Sequence, residues 1–73
     1  MSEIELRSEV TGSVWRVLLK EGDTVEEDQS LMILESMKME IPLVAPESGR
    51  IARILVKEGE PIREGQVAAV LEI

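Results

Sequence analysis

The 73-residue sequence has no cysteine and no histidine. Without cysteine, neither a disulfide framework nor a thiolate metal site can form. Without histidine, the usual zinc sites and His-based catalytic triads are excluded as well. Carboxylates could still hold a hard cation, but no stretch has the D-x-D-x-D-G spacing of a calcium loop, and no metal is expected. Phenylalanine and tyrosine are missing too, which leaves Trp15 as the one aromatic residue. Stacking platforms for nucleic-acid bases and aromatic sugar sites are therefore not expected. No apolar run approaches the ~20 residues of a membrane span. The opening MSEIELRSEV has neither the basic nor the apolar region of a signal peptide. The expectation is a cytoplasmic protein, or one domain of a cytoplasmic assembly. Cations are scarce: 8 Lys and Arg face 15 Asp and Glu, for a net charge of -7. That balance argues against nucleic acid and anionic membranes, and it keeps a small domain soluble.

The length suits one small domain over residues 1–73, with a core that must be used economically. The chain also repeats itself. GSVWRVLLKEGDTVEEDQSLMILE (residues 12–35) aligns without a gap on GRIARILVKEGEPIREGQVAAVLE (residues 49–72), an offset of 49 - 12 = 37. Identical pairs include Gly12/Gly49, Glu21/Glu58, Gly22/Gly59, Gln29/Gln66 and Glu35/Glu72, and most others exchange one aliphatic for another. Two copies are too few for a solenoid. They suit two halves that bury their apolar faces against each other.

Each half reads as β. Short segments rich in Val, Ile and Leu with interleaved charges (IELRSEV, SVWRVLL, SLMILES, MEIPLVA, RIARILV, VAAVLEI) are separated by turn chemistry. KEGD and KEGE place Gly22 and Gly59 where a positive φ is easy. Pro42 and Pro61 remove backbone donors, which suits strand edges or starts. A helix over LMILESMKMEI is the competitor, but its face would mix Leu31 and Leu34 with Lys38, and Pro42 would end it. Alternation slips in VWRV (Val14–Val17) and again in IARI (Ile51–Ile54), which predicts a bulge in both halves. The resulting core set is Val14, Val17, Leu19, Val25, Leu31, Ile33, Ile41, Leu43, Ile51, Ile54, Val56, Ile62, Val67, Ala69 and Leu71. Trp15 is expected to be partly buried.

Between the halves lies ESMKME, Glu35–Glu40. The strands ending near Glu35 and starting near Met39 are so close that only a tight hairpin joins them, with Met37 and Lys38 at its turn. A two-residue hairpin of type I′ needs positive φ at both central residues and normally selects Asn-Gly. Non-glycine residues there cost ~1–3 kcal/mol of backbone strain, which makes the side chains suspect of a function. An amine is nucleophilic only when deprotonated, so a lysine with no base beside it does not acylate itself. Lys38 is thus suited to modification by an enzyme that supplies the base and an activated acyl group. On residues alone, a solvated lysine with two methionines tucked toward the core is the competing reading.

ESMKME resembles the biotin-attachment motif Glu-Ala-Met-Lys-Met of the biotinyl/lipoyl domain family, with Ser36 for the usual alanine. The likeness extends over nearly the whole chain: Gly12 and Gly49 opening the halves, the KEGD turn, the APESG link and the internal repeat. It implies an all-β fold, a flattened β-barrel (barrel-sandwich hybrid) of two four-stranded antiparallel sheets with internal pseudo-two-fold symmetry. It also implies covalent biotin on Lys38, attached by a biotin protein ligase that reads Glu35, Ser36, Met37, Met39 and Glu40. The loaded domain would act as a biotin carboxyl carrier between biotin carboxylase and carboxyltransferase components, a monomer in isolation and not itself catalytic. Ser36 is expected to matter little, and Met37 and Met39 to matter more for carboxylation than for attachment. The resemblance is to a stand-alone attachment protein or to a carrier domain of a larger carboxylase. Lipoyl members typically carry Asp-Lys-Ala at the tip, so the methionines favour biotin. A lipoyl carrier of a 2-oxoacid dehydrogenase-type complex, an unmodified interaction module and a small enzyme using Glu35, Glu40 and Lys38 stand as alternatives.

Overall fold

The computed structural model describes residues 2–73. Eight strands follow one another: β1 (Glu3–Arg7), β2 (Gly12–Val17), β3 (Thr24–Val25), β4 (Ser30–Ser36), β5 (Met39–Val44), β6 (Gly49–Ile54), β7 (Pro61–Ile62) and β8 (Val67–Glu72). They form two four-stranded antiparallel sheets, ordered β1-β8-β6-β3 and β5-β4-β2-β7. The fold is the all-β barrel-sandwich expected, with the sheets facing each other and their edges not closed into one continuous ladder. LMILESMKMEI forms β4, a turn and β5 rather than a helix. Pro42 lies on the edge strand β5, and Pro61 opens the edge strand β7, where a missing N–H costs least.

The offset of 37 residues is a structural operator. It carries β2 onto β6, β3 onto β7 and β4 onto β8, and in reverse it carries β5 onto β1. Each sheet thus mixes strands from both halves, so neither half can bury its apolar face alone. Reciprocal bonds lock the exchange. Glu58 Oε2 accepts from the Val17 N–H at 2.9 Å, and Glu21 Oε2 accepts from the Ile54 N–H at 3.0 Å. The Gly59 N–H donates to the Val14 carbonyl at 2.7 Å, and the Gly22 N–H to the Ile51 carbonyl at 2.8 Å. Gly22 and Gly59 have φ of 93° and 89°, which explains why both copies retain glycine in the turn.

Both expected bulges are present. Register slips between Val14 and Arg16 in β2, and between Ile51 and Arg53 in β6. A second symmetric pair was not anticipated. Register slips again between Ser30 and Met32 against β5, and across Ala68 against β1. The residues passed over, Leu31 and Ala68, are fully buried, as are Met32 and Ala69 beside them. An extra inward residue restarts the alternation one position later. That corrects the expected core: Met32 and Leu34 point inward, whereas Ile33 is half-buried. Ile41 and Val67 are half-buried as well, and Leu6, Ala45 and Ala68 join the core instead. Trp15 is more exposed than expected, at 41%.

The particle measures 36 × 17 × 17 Å. The β4–β5 hairpin is at one end of the sheets. At the symmetry-equivalent place, Ser2 and Ile73 exchange backbone hydrogen bonds of 3.1 and 2.8 Å.

Candidate modification site

Ser36 pairs with Met39, so Met37 and Lys38 are the two central residues of the β4–β5 turn. Their φ values are 53° and 65°. Both lie in the left-handed region that type I′ requires, so the tip carries the strain that the sequence implied. The methionines do not tuck inward. Met37 is 91% exposed and Met39 63%. Lys38 is exposed at the apex, and no salt bridge among the described residues reaches it. Lys20 and Lys57 are exposed too, so exposure alone does not set Lys38 apart. The strained hairpin and its methionine flanks do.

The base of the hairpin is held from two directions. Gly12 packs against β4 so closely that a β-carbon there would overlap the Glu35 carbonyl oxygen. The glycine opening β6 has the same relation to Glu72. Ser36, for which little role was expected, donates its hydroxyl to the Thr11 carbonyl at 2.8 Å. The Thr11 hydroxyl in turn accepts from the Glu64 N–H at 3.0 Å, which ties the hairpin base to the turn before β8. Sequence reading missed Thr11, because no motif marks it. Its only signal was its position just ahead of Gly12.

Glu35 and Glu40 are directly opposite each other across β4 and β5, exposed and on one face. No ion pair among the described residues involves either. A groove of about 120 Å³, lined by Glu9, Leu34 and the β5 residues Ile41 to Val44, flanks the hairpin. Ligand pockets usually enclose ~300–1,000 Å³, so this groove gives no support to a small enzyme built on Glu35, Glu40 and Lys38. An acyl group on Nζ fits this tip, because the amine projects from the apex and neither strand covers it.

Such an architecture, with one lysine held at the end of two interleaved half-domains, is that of a biotinyl/lipoyl-type domain. A family model described as "Biotin-requiring enzyme" matches residues 5–71, and the chain belongs to that family. The Biotin/lipoyl attachment protein of Bacillus subtilis (strain 168) is 54% identical over 37 residues, 51% of each chain. A Biotin carboxyl carrier protein of Streptococcus mutans is 59% identical over 34 residues, 47% of this chain and 26% of its own. These alignments span about half or less of the curated relatives' length. The crystal structure of Kluyveromyces lactis urea carboxylase superposes with a TM-score of 0.92 and 35% identity, over 99% of this chain and 6% of that one.

Proposed function

We propose that the protein is a biotin carboxyl carrier whose Lys38 is biotinylated by a biotin protein ligase. The observation that carries this reading is the Met37–Lys38 turn. Two non-glycine residues hold positive φ at an exposed apex, a cost that a merely solvated lysine would not justify. Likeness to a Biotin carboxyl carrier protein supports it.

In the attachment step the deprotonated Lys38 amine attacks the carbonyl of biotinyl-AMP. An amide bond forms, AMP leaves, and the ligase takes up the proton. The hairpin presents the amine clear of both sheets, and Glu35, Met37, Met39 and Glu40 distinguish it from Lys20 and Lys57. Biotin, once attached, supplies a nitrogen that carries a carboxyl group from a biotin carboxylase to a carboxyltransferase. The domain contributes a rigid base and a high local concentration of the tethered group. The rigid base comes from Gly12 against Glu35 and Ser36 against Thr11.

Intact mass after co-expression with a biotin ligase and excess biotin tests the reading. One biotinyl group is expected, and it should vanish in Lys38→Ala. The name of the Bacillus relative favours a second reading, lipoate on the same lysine. The added mass separates the two, and no added mass with either ligase would leave an unmodified module.

A further inference from the structure

The pseudo-symmetry gives each outer sheet face a reference for comparison. Residues directly opposed on neighbouring antiparallel strands share a face. Outside the sheet that contains β1, one row is Arg50–Glu72–Glu3 and the next Arg53–Val70–Glu5. Charges there are matched: Arg50 pairs with Glu72 at 2.7 Å, Arg7 with Glu5 at 2.6 Å and Arg53 with Glu3 at 3.8 Å. Val70 beneath them is 4% exposed.

The equivalent rows on the lysine-bearing sheet are Ser13–Glu35–Glu40 and Arg16–Ile33–Pro42. Ser13 takes the place of Arg50, Pro42 of Glu5, Val44 of Arg7 and Trp15 of Ala52. Trp15 is 41% exposed and Val44 39%, and the Arg16 guanidinium lies 5.0 Å from the Trp15 ring centre. One face is closed by ion pairs. The other presents an apolar strip beside two opposed carboxylates that no arginine neutralises among the described residues. Opposed like charges cost stability. The β1-containing sheet carries the same opposed pair, Glu3 and Glu72, but there Arg53 and Arg50 pair with them.

We propose that this outer face, comprising Trp15, Pro42 and Val44 with Ser13, is the surface on which the biotin protein ligase docks beyond the hairpin. The proposal rests on the reading of Lys38 given above. Reach selects the occupant. Amide formation occurs at Nζ itself, so the ligase must press against the tip. A standard footprint of ~800 Å² per partner is a disc of radius ~16 Å. At ~3.3 Å per residue, the row of Pro42, beside which Trp15 stands, is ~13 Å from Lys38 along the strands and within that disc, while Val44 is ~20 Å away, just beyond its edge. A carboxylase meets the loaded group at the end of a long arm and needs less of this surface. The matching ligase face is apolar at its centre, with a cation toward Glu35 and Glu40.

The symmetry also supplies substitutions that the fold already accommodates elsewhere. Trp15→Ala, Pro42→Glu and Val44→Arg together copy the other sheet, and Ser13→Arg alone restores the missing cation. Arg7→Val is the control on the opposite face. Initial rates of biotin incorporation, read by intact mass over a range of carrier concentrations, are compared alongside thermal melts. The triple variant should raise KM about tenfold or more with kcat within about twofold. Ser13→Arg should raise Tm and also raise KM, and Arg7→Val should leave KM unchanged. An unchanged KM in a natively melting triple variant overturns the proposal. A defect confined to carboxylation of the loaded protein does the same, since it assigns the face to the carboxylase. If the triple variant does not fold, an unchanged KM for Ser13→Arg is equally decisive. A wild-type protein that takes up no biotin would instead sink the reading of Lys38.

Discussion

Gly12 lies against the Glu35 carbonyl with no room for a β-carbon, one residue before β4 ends at Ser36 and the lysine hairpin turns. Gly12→Ala must push backbone against backbone. We expect a loss of about 3 kcal/mol, the upper end of overpacking costs. Gly49→Ala meets the Glu72 carbonyl in the same way, at the far end of the molecule. Denaturant melts should place the two variants close together. Biotin incorporation per folded molecule should fall only for Gly12→Ala. Equal losses in both would mean that this contact does not position Lys38.

Met37 holds a φ of 53° at the turn. Asparagine occupies the left-handed region far more readily than most residues. Met37→Asn should therefore stabilise the fold by about 0.5 kcal/mol, a rise of roughly 2–4 °C in Tm for a domain of this size. A fall in Tm would indicate that the turn is not strained at this residue.

Glu21 and Glu58 each cap a bulged strand of the other half. Removing either carboxylate should cost about 1 kcal/mol, since both bonds lie at the surface. The two sites share no partner, so the double alanine variant should lose about the sum of the two. Glutamine should retain most of each contribution, because its carbonyl oxygen still accepts. Urea melts of the singles and the double decide this.

Met37 and Met39 present flexible, polarisable side chains to solvent beside Lys38. Such surfaces adapt to more than one partner, and a carrier of the kind proposed would visit two enzyme sites after leaving its ligase. Replacing both methionines with leucine should lower the rate of biotin carboxylation several-fold while slowing biotin attachment less. Measuring the two steps separately tests this, and equal losses in both would contradict it.

Much of the site was legible in the chain. The close spacing of Glu35 and Met39 left room only for a two-residue turn, and a type I′ turn would put positive φ at Met37 and Lys38, as the structure has it. The bulges at Trp15 and Ala52 appeared as slips in alternation at equivalent places in the repeat. Less was legible where the pattern gave no local signal. Strands β3 and β7 are two residues each, too short to show a period. The bulge at Leu31 is hidden inside an unbroken apolar run, SLMIL, so alternation from Leu31 puts Ile33 in the core set and leaves Met32 out.

The sequence by itself determined the repeat, the β character of each segment and the position of the one lysine that stands at a strained tip. These follow from short-range rules: side-chain alternation, turn sterics and glycine placement. Tertiary structure alone decided that the halves interleave, with Glu21 and Glu58 each reaching across to the other copy. It also decided that Ser36 anchors to Thr11 and that one outer face is sealed by ion pairs while its counterpart is open. Those relations join residues distant in the chain, and only the pairing of strands brings them together.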